Sequence, residues 1–209
     1  CGVMLKSFAR LSHVELGFRP EGLLSFEMEL PPPSYPTEEK QQALWDRLQR
    51  ELSALPGVTG ATLTSQLPMA TSVSTAVIWF EGAPPYTDKG APIAEWHIVG
   101  DRYFETLGIR LLEGRYLHDD DRLAVVINQS AARKFFPGRD PIGQQLRVNP
   151  WKEGSPFETV VGVVADVKQS GLDQPAGDVV YLPLAAAAAI KFKTAQRLRA
   201  IGRSDVAVL

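Results

Sequence analysis

Residues 99–143 decide the fold of this chain and read V-G-D-R-Y-F-E-T-L-G-I-R-L-L-E-G-R-Y-L-H-D-D-D-R-L-A-V-V-I-N-Q-S-A-A-R-K-F-F-P-G-R-D-P-I-G. Short apolar runs alternate here with glycine turns, which predicts short helices over about 101–107 and 128–136 and strands over 109–112 and 123–127. The last strand is continuously apolar, as is typical of a strand buried on both faces. No side chain in the stretch has the partners that a reaction needs. The pattern therefore indicates architecture and points away from an enzyme.

A strand, a helix and a second strand precede this stretch. The strand covers 23–30 and is expected to be half-buried, with Leu24, Phe26, Met28 and Leu30 on one side, before three prolines end it. Thr37 is the expected N-cap of the helix, which Pro56-Gly57 ends. The apolar stripe of the helix consists of Leu44, Leu48, Leu52 and Leu55. The second strand covers 58–64, so these elements predict a compact β-α-β unit.

The remaining elements indicate an α+β fold class. Further strands are predicted over 76–80, 93–99, 145–148, 157–167, 178–182 and 198–201. Residues 1–18 have apolar positions in steps of three and four, which predicts either an ordinary surface helix or the outer end of a membrane helix. The chain begins without Met and contains no apolar run of membrane-spanning length, so we expect it to be a piece of a longer protein.

Composition excludes several classes of function. The 209 residues carry 22 Lys and Arg against 24 Asp and Glu, a net charge of −2 without the basic excess that nucleic-acid binding needs. The single cysteine, Cys1, allows neither an internal disulfide nor a cysteine-based metal site.

Candidate chemistry is sparse. Residues 118–121 (H-D-D-D) are the one cluster of possible metal ligands, but consecutive residues rarely converge on one ion, so a solvated acidic loop is favoured. His97 lies within a strand pattern and is expected to be structural. The sequence contains neither a G-x-S-x-G elbow nor a G-x-x-x-x-G-K-[ST] phosphate loop. We therefore predict no catalytic, cofactor-binding or metal-binding residue.

Several short motifs in a fixed order carry a family resemblance. They are L-P-G-V at 55–58, S-Q-L-P-M at 65–69, F-E-G-A-P at 80–84, D-R-Y-F-E-T-L-G-I-R-L-L-E-G-R at 101–115, V-V-I-N-Q-S-A-A-R-K-F-F-P-G-R-D-P-I-G at 125–143, V-V-G-V-V-A-D-V-K at 160–168 and V-V-Y-L-P at 179–183. In this the chain resembles the MacB-like periplasmic core domain of FtsX-type ABC transporter permeases, of the kind found in acidobacteria.

The resemblance implies a domain of two lobes. Residues 19–75 with 187–209 would form a porter-like lobe, expected to need a further helix and strand for completion. Residues 76–186 would form an inserted, mixed α/β, Sabre-like lobe, and residues 1–18 the end of a membrane or stalk helix. The residues expected to be structural family positions are Gly57, Tyr103, Phe104, Gly108, Gly114, Arg115, Asn128, Pro137, Gly138, Asp140, Pro141, Gly143, Gly162 and Asp166.

The resemblance also implies partners and a location. The domain would lie in the periplasm, joined to its own transmembrane helices in the bacterial inner membrane and dependent on a cytoplasmic ATP-binding subunit or domain. The parent would be a homo- or heterodimer with a possible periplasmic accessory protein, and the domain would need no cofactor. The alternative is a soluble periplasmic module that binds a small molecule or peptide in a cleft, using strands that contain Trp79 and Trp96.

Overall fold

The computed structural model describes residues 15–29, 34–35, 37–69, 73–83, 90–118, 120–148, 156–169, 171–186 and 197–204. The strands are β1 (Leu23–Glu29), β2 (Val58–Thr64), β3 (Thr75–Phe80), β4 (Ile93–Val99), β5 (Leu111–Gly114), β6 (Ala124–Asn128), β7 (Gln145–Val148), β8 (Glu158–Val164), β9 (Val179–Pro183) and β10 (Arg197–Ser204). The helices are α1 (Glu38–Ser53), α2 (Tyr103–Leu107) and α3 (Gln129–Phe135), and the fold is a sheet-dominated mixture of α and β structure.

Six of the strands close into a ring in the order β4-β3-β7-β8-β6-β9 and back to β4. The ring closes because β4 pairs on one edge with β3, antiparallel, and on the other with β9, parallel, over Glu95–Val99 and Val179–Pro183. β6 and β8 also run parallel, and β5 pairs with the end of β8. We call β4, β3, β7, β8, β6 and β9 the six-stranded ring; such closure leaves no exposed sheet edge between its members.

Three further strands form a layer in the order β1-β10-β2, with α1 packed against it. The predicted β-α-β unit of β1, α1 and β2 is present, but β10 lies between its two strands and is antiparallel to both. This is a split β-α-β arrangement. The layer joins the ring through one residue pair, Thr64 of β2 with Val99 of β4.

Helix α1 begins where the sequence predicts, but the side chains that it buries differ from the predicted set. The Thr37 hydroxyl accepts a hydrogen bond from the Lys40 amide at 3.4 Å, which confirms the N-cap. The prediction for Leu55 is wrong: the side chain is 52% exposed because the helix ends at Ser53, before another turn could carry it to the core. The apolar stripe predicted from the sequence did not include Trp45, which is the largest fully buried side chain of the helix.

The expected half-buried face of β1 is only partly present. Leu24 is 70% exposed and Phe26 is 41% exposed, whereas Met28 packs against the core; Leu30 lies outside the described residues. The reason is that β1 is the outermost strand of its layer, while α1 packs over β2 and β10.

Other differences concern the ends of elements. Helix α2 starts at Tyr103 rather than near residue 101 because Arg102 has left-handed backbone angles (φ 56°, ψ 20°) that a helix cannot include. The predicted strands 109–112, 157–167 and 198–201 are observed at 111–114, 158–164 and 197–204. Most of the helix expected over 1–18 lies outside the described residues. The part that is described, 15–18, is not helical. No helix in the described part of the chain is long and apolar enough to cross a bilayer.

Two hydrophobic clusters form the core, and successive residues of β6 and β9 alternate between them. Val125, Ile127, Val180 and Leu182 belong to the larger cluster, which also contains Trp45 of α1. Val126 and Tyr181 belong to the smaller one, with the side chains of α2 and Ile201 of β10. Each cluster therefore combines ring residues with residues of the β1-β10-β2 layer.

Candidate functional site

The Asp166 carboxylate is the centre of the densest polar network among the described residues. It accepts hydrogen bonds from Asn128 Nδ2 at 2.7 Å, from the Ser130 amide at 2.8 Å, from Ser130 Oγ at 2.7 Å and from Arg133 Nη2 at 3.1 Å. The Asn128 and Ser130 donors lie at the start of α3, where the helix dipole and free amides favour a negative charge, and Arg133 reaches Asp166 from the last turn of the helix. Asp166 thus fixes the segment after β8 to the beginning of α3.

Asn128 completes this network from a fully buried position. Its Oδ1 accepts from the Ala131 amide at 3.1 Å and from the Val179 amide at 2.9 Å, and its Nδ2 donates to Asp166 and to the Gly177 carbonyl at 2.8 Å. The predicted N-cap is confirmed. The sequence did not reveal that the same amide also holds β9, because a side chain with two acceptor and two donor positions can serve both.

Arg115 and Asp121 form a second fixed point at a turn after β5. Two Arg115 nitrogens contact the two oxygens of Asp121 at 2.8 and 2.9 Å, and Asp121 also accepts from the His118 amide. The bond with Arg115 lowers the pKa of the Asp121 carboxyl below its usual value. The H-D-D-D cluster is therefore partly engaged in a structural turn; Asp119 lies outside the described residues, and those described contain no group of three or more metal ligands.

Tyr103 and Phe104 anchor α2 in an aromatic cluster. The Phe104 ring lies 5.1 Å from that of Tyr181 and stacks on Tyr116 at 5.3 Å. The Tyr116 hydroxyl in turn donates to the Ile109 carbonyl at 2.8 Å. Burial raises the pKa of the Tyr103 phenol well above its ordinary value, as expected for a ring that is 1% exposed.

The remaining residues that we predicted to be family positions lie in turns and at close backbone contacts. Gly162 is inside β8, where an added Cβ would lie 2.0 Å from the Arg115 carbonyl oxygen, so this position requires glycine. Gly108 ends α2 with φ +70°. Gly114 is the last residue of β5. The others follow α1 or lie between α3 and β7: Gly57, Pro137, Gly138, Asp140, Pro141 and Gly143. Of these, Asp140 accepts from the Ile142 amide at 2.8 Å.

A buried histidine and a buried glutamate lie in the ring itself. His97 is fully buried in β4, with its ring 5.5 Å from that of Tyr181 and its Nε2 3.8 Å from Glu95 Oε2. Glu158, at the start of β8, is 2% exposed, and burial raises the pKa of its carboxyl to about 7. The network around Asp166 includes neither side chain.

A groove of about 990 Å³ separates α1 from the loops of the ring. Its lining includes Asp46 and Arg50 of α1 and Asp101, Arg122 and Leu184 on the opposite side. Trp79 and Trp96 do not line it: Trp96 is in the core, and the Trp79 indole donates to the Ala83 carbonyl. No sequence pattern predicts this groove, because its lining residues come from separate elements.

A few hydrogen bonds join the β1-β10-β2 layer to the six-stranded ring. The Ser65 amide donates to the Ile98 carbonyl at 2.9 Å, and Ser65 Oγ accepts from the Ile98 amide at 2.9 Å. The Gly100 amide donates to the Leu63 carbonyl at 2.8 Å. Together with the Thr64–Val99 pair, these contacts form a narrow connection beside a wide groove.

Comparison with known proteins identifies the family. The model of the MacB-like periplasmic core domain matches residues 27–208. This chain belongs to that family. Its first curated relative is the macrolide export ATP-binding/permease protein MacB of Aggregatibacter actinomycetemcomitans, at 32% identity over 88 residues, which are 40% of this chain and 13% of the relative. The chain thus spans a small part of that protein.

Two solved structures show the same fold. The periplasmic region of MacB from Actinobacillus actinomycetemcomitans matches with a TM-score of 0.57 at 18% identity, over 90% of this chain and 77% of that one. The extracellular domain of the noncanonic ABC-type transporter YknZ from Gram-positive bacteria matches with a TM-score of 0.55 at 14% identity, over 88% and 84%. The resemblance is confirmed: the chain is a MacB-like periplasmic core domain of an ABC permease.

Proposed function

We propose that this domain is a non-catalytic coupling element that transmits movement of the parent's membrane helices to a periplasmic surface. Membership of the MacB-like family carries the proposal. The parent would be an inner-membrane transporter that takes its energy from ATP hydrolysis on a cytoplasmic subunit or domain, as the name of the curated relative suggests. A homo- or heterodimeric parent and a periplasmic accessory protein belong to the same proposal.

The arrangement of strands supports a division into two moving parts. The β1-β10-β2 layer with α1 corresponds to the proposed porter-like lobe (19–75 and 187–209), and the six-stranded ring to the inserted lobe (76–186). One residue pair and a few hydrogen bonds join the two sheets, and the groove leaves room beside them. A hinge needs such a narrow connection between two stiff bodies. Both hydrophobic clusters cross the boundary, which would limit the movement to a small rotation.

The exposed side of β1 supports the expected completion of the porter-like lobe. Leu24 and Phe26 are uncovered on the side where α1 covers the neighbouring strands, and the outer edge of β1 has no partner strand among the described residues. A helix beside α1 and a strand along β1 would extend the split β-α-β pattern.

Accessibility in cells tests the location. Arg122→Cys, in a full-length parent with Cys1 replaced by serine, places one thiol on the exposed rim of the groove. A maleimide that crosses the outer but not the inner membrane should label it in intact cells. A thiol that reacts only after the inner membrane is opened would contradict the proposal.

A further inference from the structure

The Arg203 guanidinium contacts three backbone carbonyls from two separate parts of the chain. Its Nε donates to the Thr106 carbonyl of α2 at 2.6 Å. Its Nη1 donates to the Glu21 carbonyl at 2.7 Å, and its Nη2 to the Arg19 carbonyl at 2.6 Å. One side chain on β10 thus binds both the segment that leads into β1 and the last turn of α2.

The residues around this contact link the same parts. The Arg19 amide donates to the Leu107 carbonyl at 2.8 Å, and the Ser204 amide donates to the Gly22 carbonyl at 3.0 Å. Gly108 leaves space for the Arg19 side chain, because an added Cβ would lie 2.3 Å from Arg19 Nε. The segment 19–22, the end of α2 and the end of β10 therefore meet at one point.

Helix α2 leads from this point to the ring. Thr106 and Leu107 are buried, and Phe104 contacts Tyr181 of β9. This five-residue helix packs on β2 and β10 of the layer, and its Tyr103 and Phe104 rings also contact Tyr181 of the ring. The path from Arg203 to the ring is continuous and short.

Arginine is the side chain that this geometry requires. Its planar group carries five donors in a fixed fork, so it can hold three carbonyls in three directions at once. A lysine ammonium is a single point and cannot reach the same three positions together. The charge also favours the carbonyl end of α2, where unpaired acceptors collect.

We propose that Arg203 is the positioning residue that couples the segment entering β1 and the end of β10 to the ring. The inference rests on the proposed function, in which residues 1–18 end a membrane or stalk helix and β10 continues into the helix and strand that complete the porter-like lobe. When those segments shift, Arg203 carries the shift to α2, and α2 carries it to the ring.

The test compares Arg203→Gln and Arg203→Lys with Arg47→Gln in the full-length parent, reconstituted in lipid nanodiscs. Arg47 is a matched control because it is an exposed arginine that pairs only with the neighbouring turn of α1, through Glu51. Hydrogen exchange of peptides covering 101–110 is measured without nucleotide and after trapping with Mg-ATP and vanadate. Mg-ATP hydrolysis and the exchange protection of β8 are recorded for every variant.

We expect nucleotide to change exchange over 101–110 at least twofold in the wild type and in Arg47→Gln. The change should disappear in Arg203→Gln and fall to an intermediate value in Arg203→Lys, while Mg-ATP hydrolysis and β8 protection stay near the wild type. An undiminished nucleotide response in Arg203→Gln, or no response in the wild type, overturns the inference. Failure of the proposed function would give a different result: the width of the groove between α1 and the loops of the ring would not change when nucleotide is bound.

Discussion

Replacement of Asp166 by alanine should cause the largest loss of stability among the polar substitutions. The change removes a carboxylate that accepts four hydrogen bonds and leaves one donor of the buried Asn128 amide without its partner. Hydrogen bonds to charged groups each contribute about 1.5–3 kcal/mol, but the Ser130 and Arg133 donors regain water. The net cost should be about 3 kcal/mol.

Urea unfolding, followed by tryptophan fluorescence and circular dichroism, measures this cost. With a slope of about 2 kcal/mol per molar urea, the midpoint should fall by about 1.5 M with no change of slope. Asp166→Asn keeps the shape and one acceptor, so it should lose about half as much. Asp140→Ala is the control, because Asp140 is exposed and accepts only from the Ile142 amide. If Asp166→Ala and Asp140→Ala shift the midpoint equally, the network has no special role.

Three further substitutions follow from the same structure. Glu158→Gln should stabilise the domain by about 2 kcal/mol at pH 8 and by almost nothing at pH 4. The reason is that the raised pKa of the Glu158 carboxyl makes wild-type stability fall as pH rises from about 4.5 through about 7. Urea titrations at both pH values measure this effect, and equal effects at the two pH values would contradict it. Arg115→Gln should lower the free energy of unfolding by about 1 kcal/mol at pH 7, and this difference should disappear as Asp121 is protonated below its lowered pKa. A loss of stability that persists at pH 2 would assign the effect to packing. Gly162→Ala should cost more than about 3 kcal/mol by thermal unfolding. Gly82→Ala should cost about 1 kcal/mol through its positive φ alone, because no described residue beyond its chain neighbours has an atom within 4 Å of the added Cβ.

Local chemistry was predictable from the sequence because it depends on neighbouring residues. Thr37 and Asn128 were correctly predicted as caps. The apolar run 123–127 corresponds to β6 (Ala124–Asn128), whose five residues are all buried, but the prediction for Leu123 is wrong, because this residue precedes the strand and is 49% exposed. The family motif also marked Asp166 and Gly162 as structural positions, although it did not say what either contacts. Each of these predictions needs only a turn or a strand of sequence around the residue.

Long-range arrangement was not predictable in the same way. Nothing in residues 23–30 shows that β1 would be the outermost strand, so the exposure of Leu24 and Phe26 came from the tertiary fold. The closure of the ring depends on β4 pairing with β9, over 80 residues later in the chain. Arg203 appeared as one basic residue at a strand end, and its three acceptors come from segments around 19–21 and 106.

The distance across the groove in the working transporter tests the central claim most directly. Arg50→Cys on α1 and Arg122→Cys on the ring side, in a parent with Cys1 replaced by serine, allow a spin-label pair on opposite rims. If the domain transmits movement, the distance distribution between the labels should shift by several ångströms between the nucleotide-free state and the state trapped with Mg-ATP and vanadate. An identical, narrow distribution in both states, in a preparation that hydrolyses ATP, would show that the two parts move as one body and that the domain does not work as proposed.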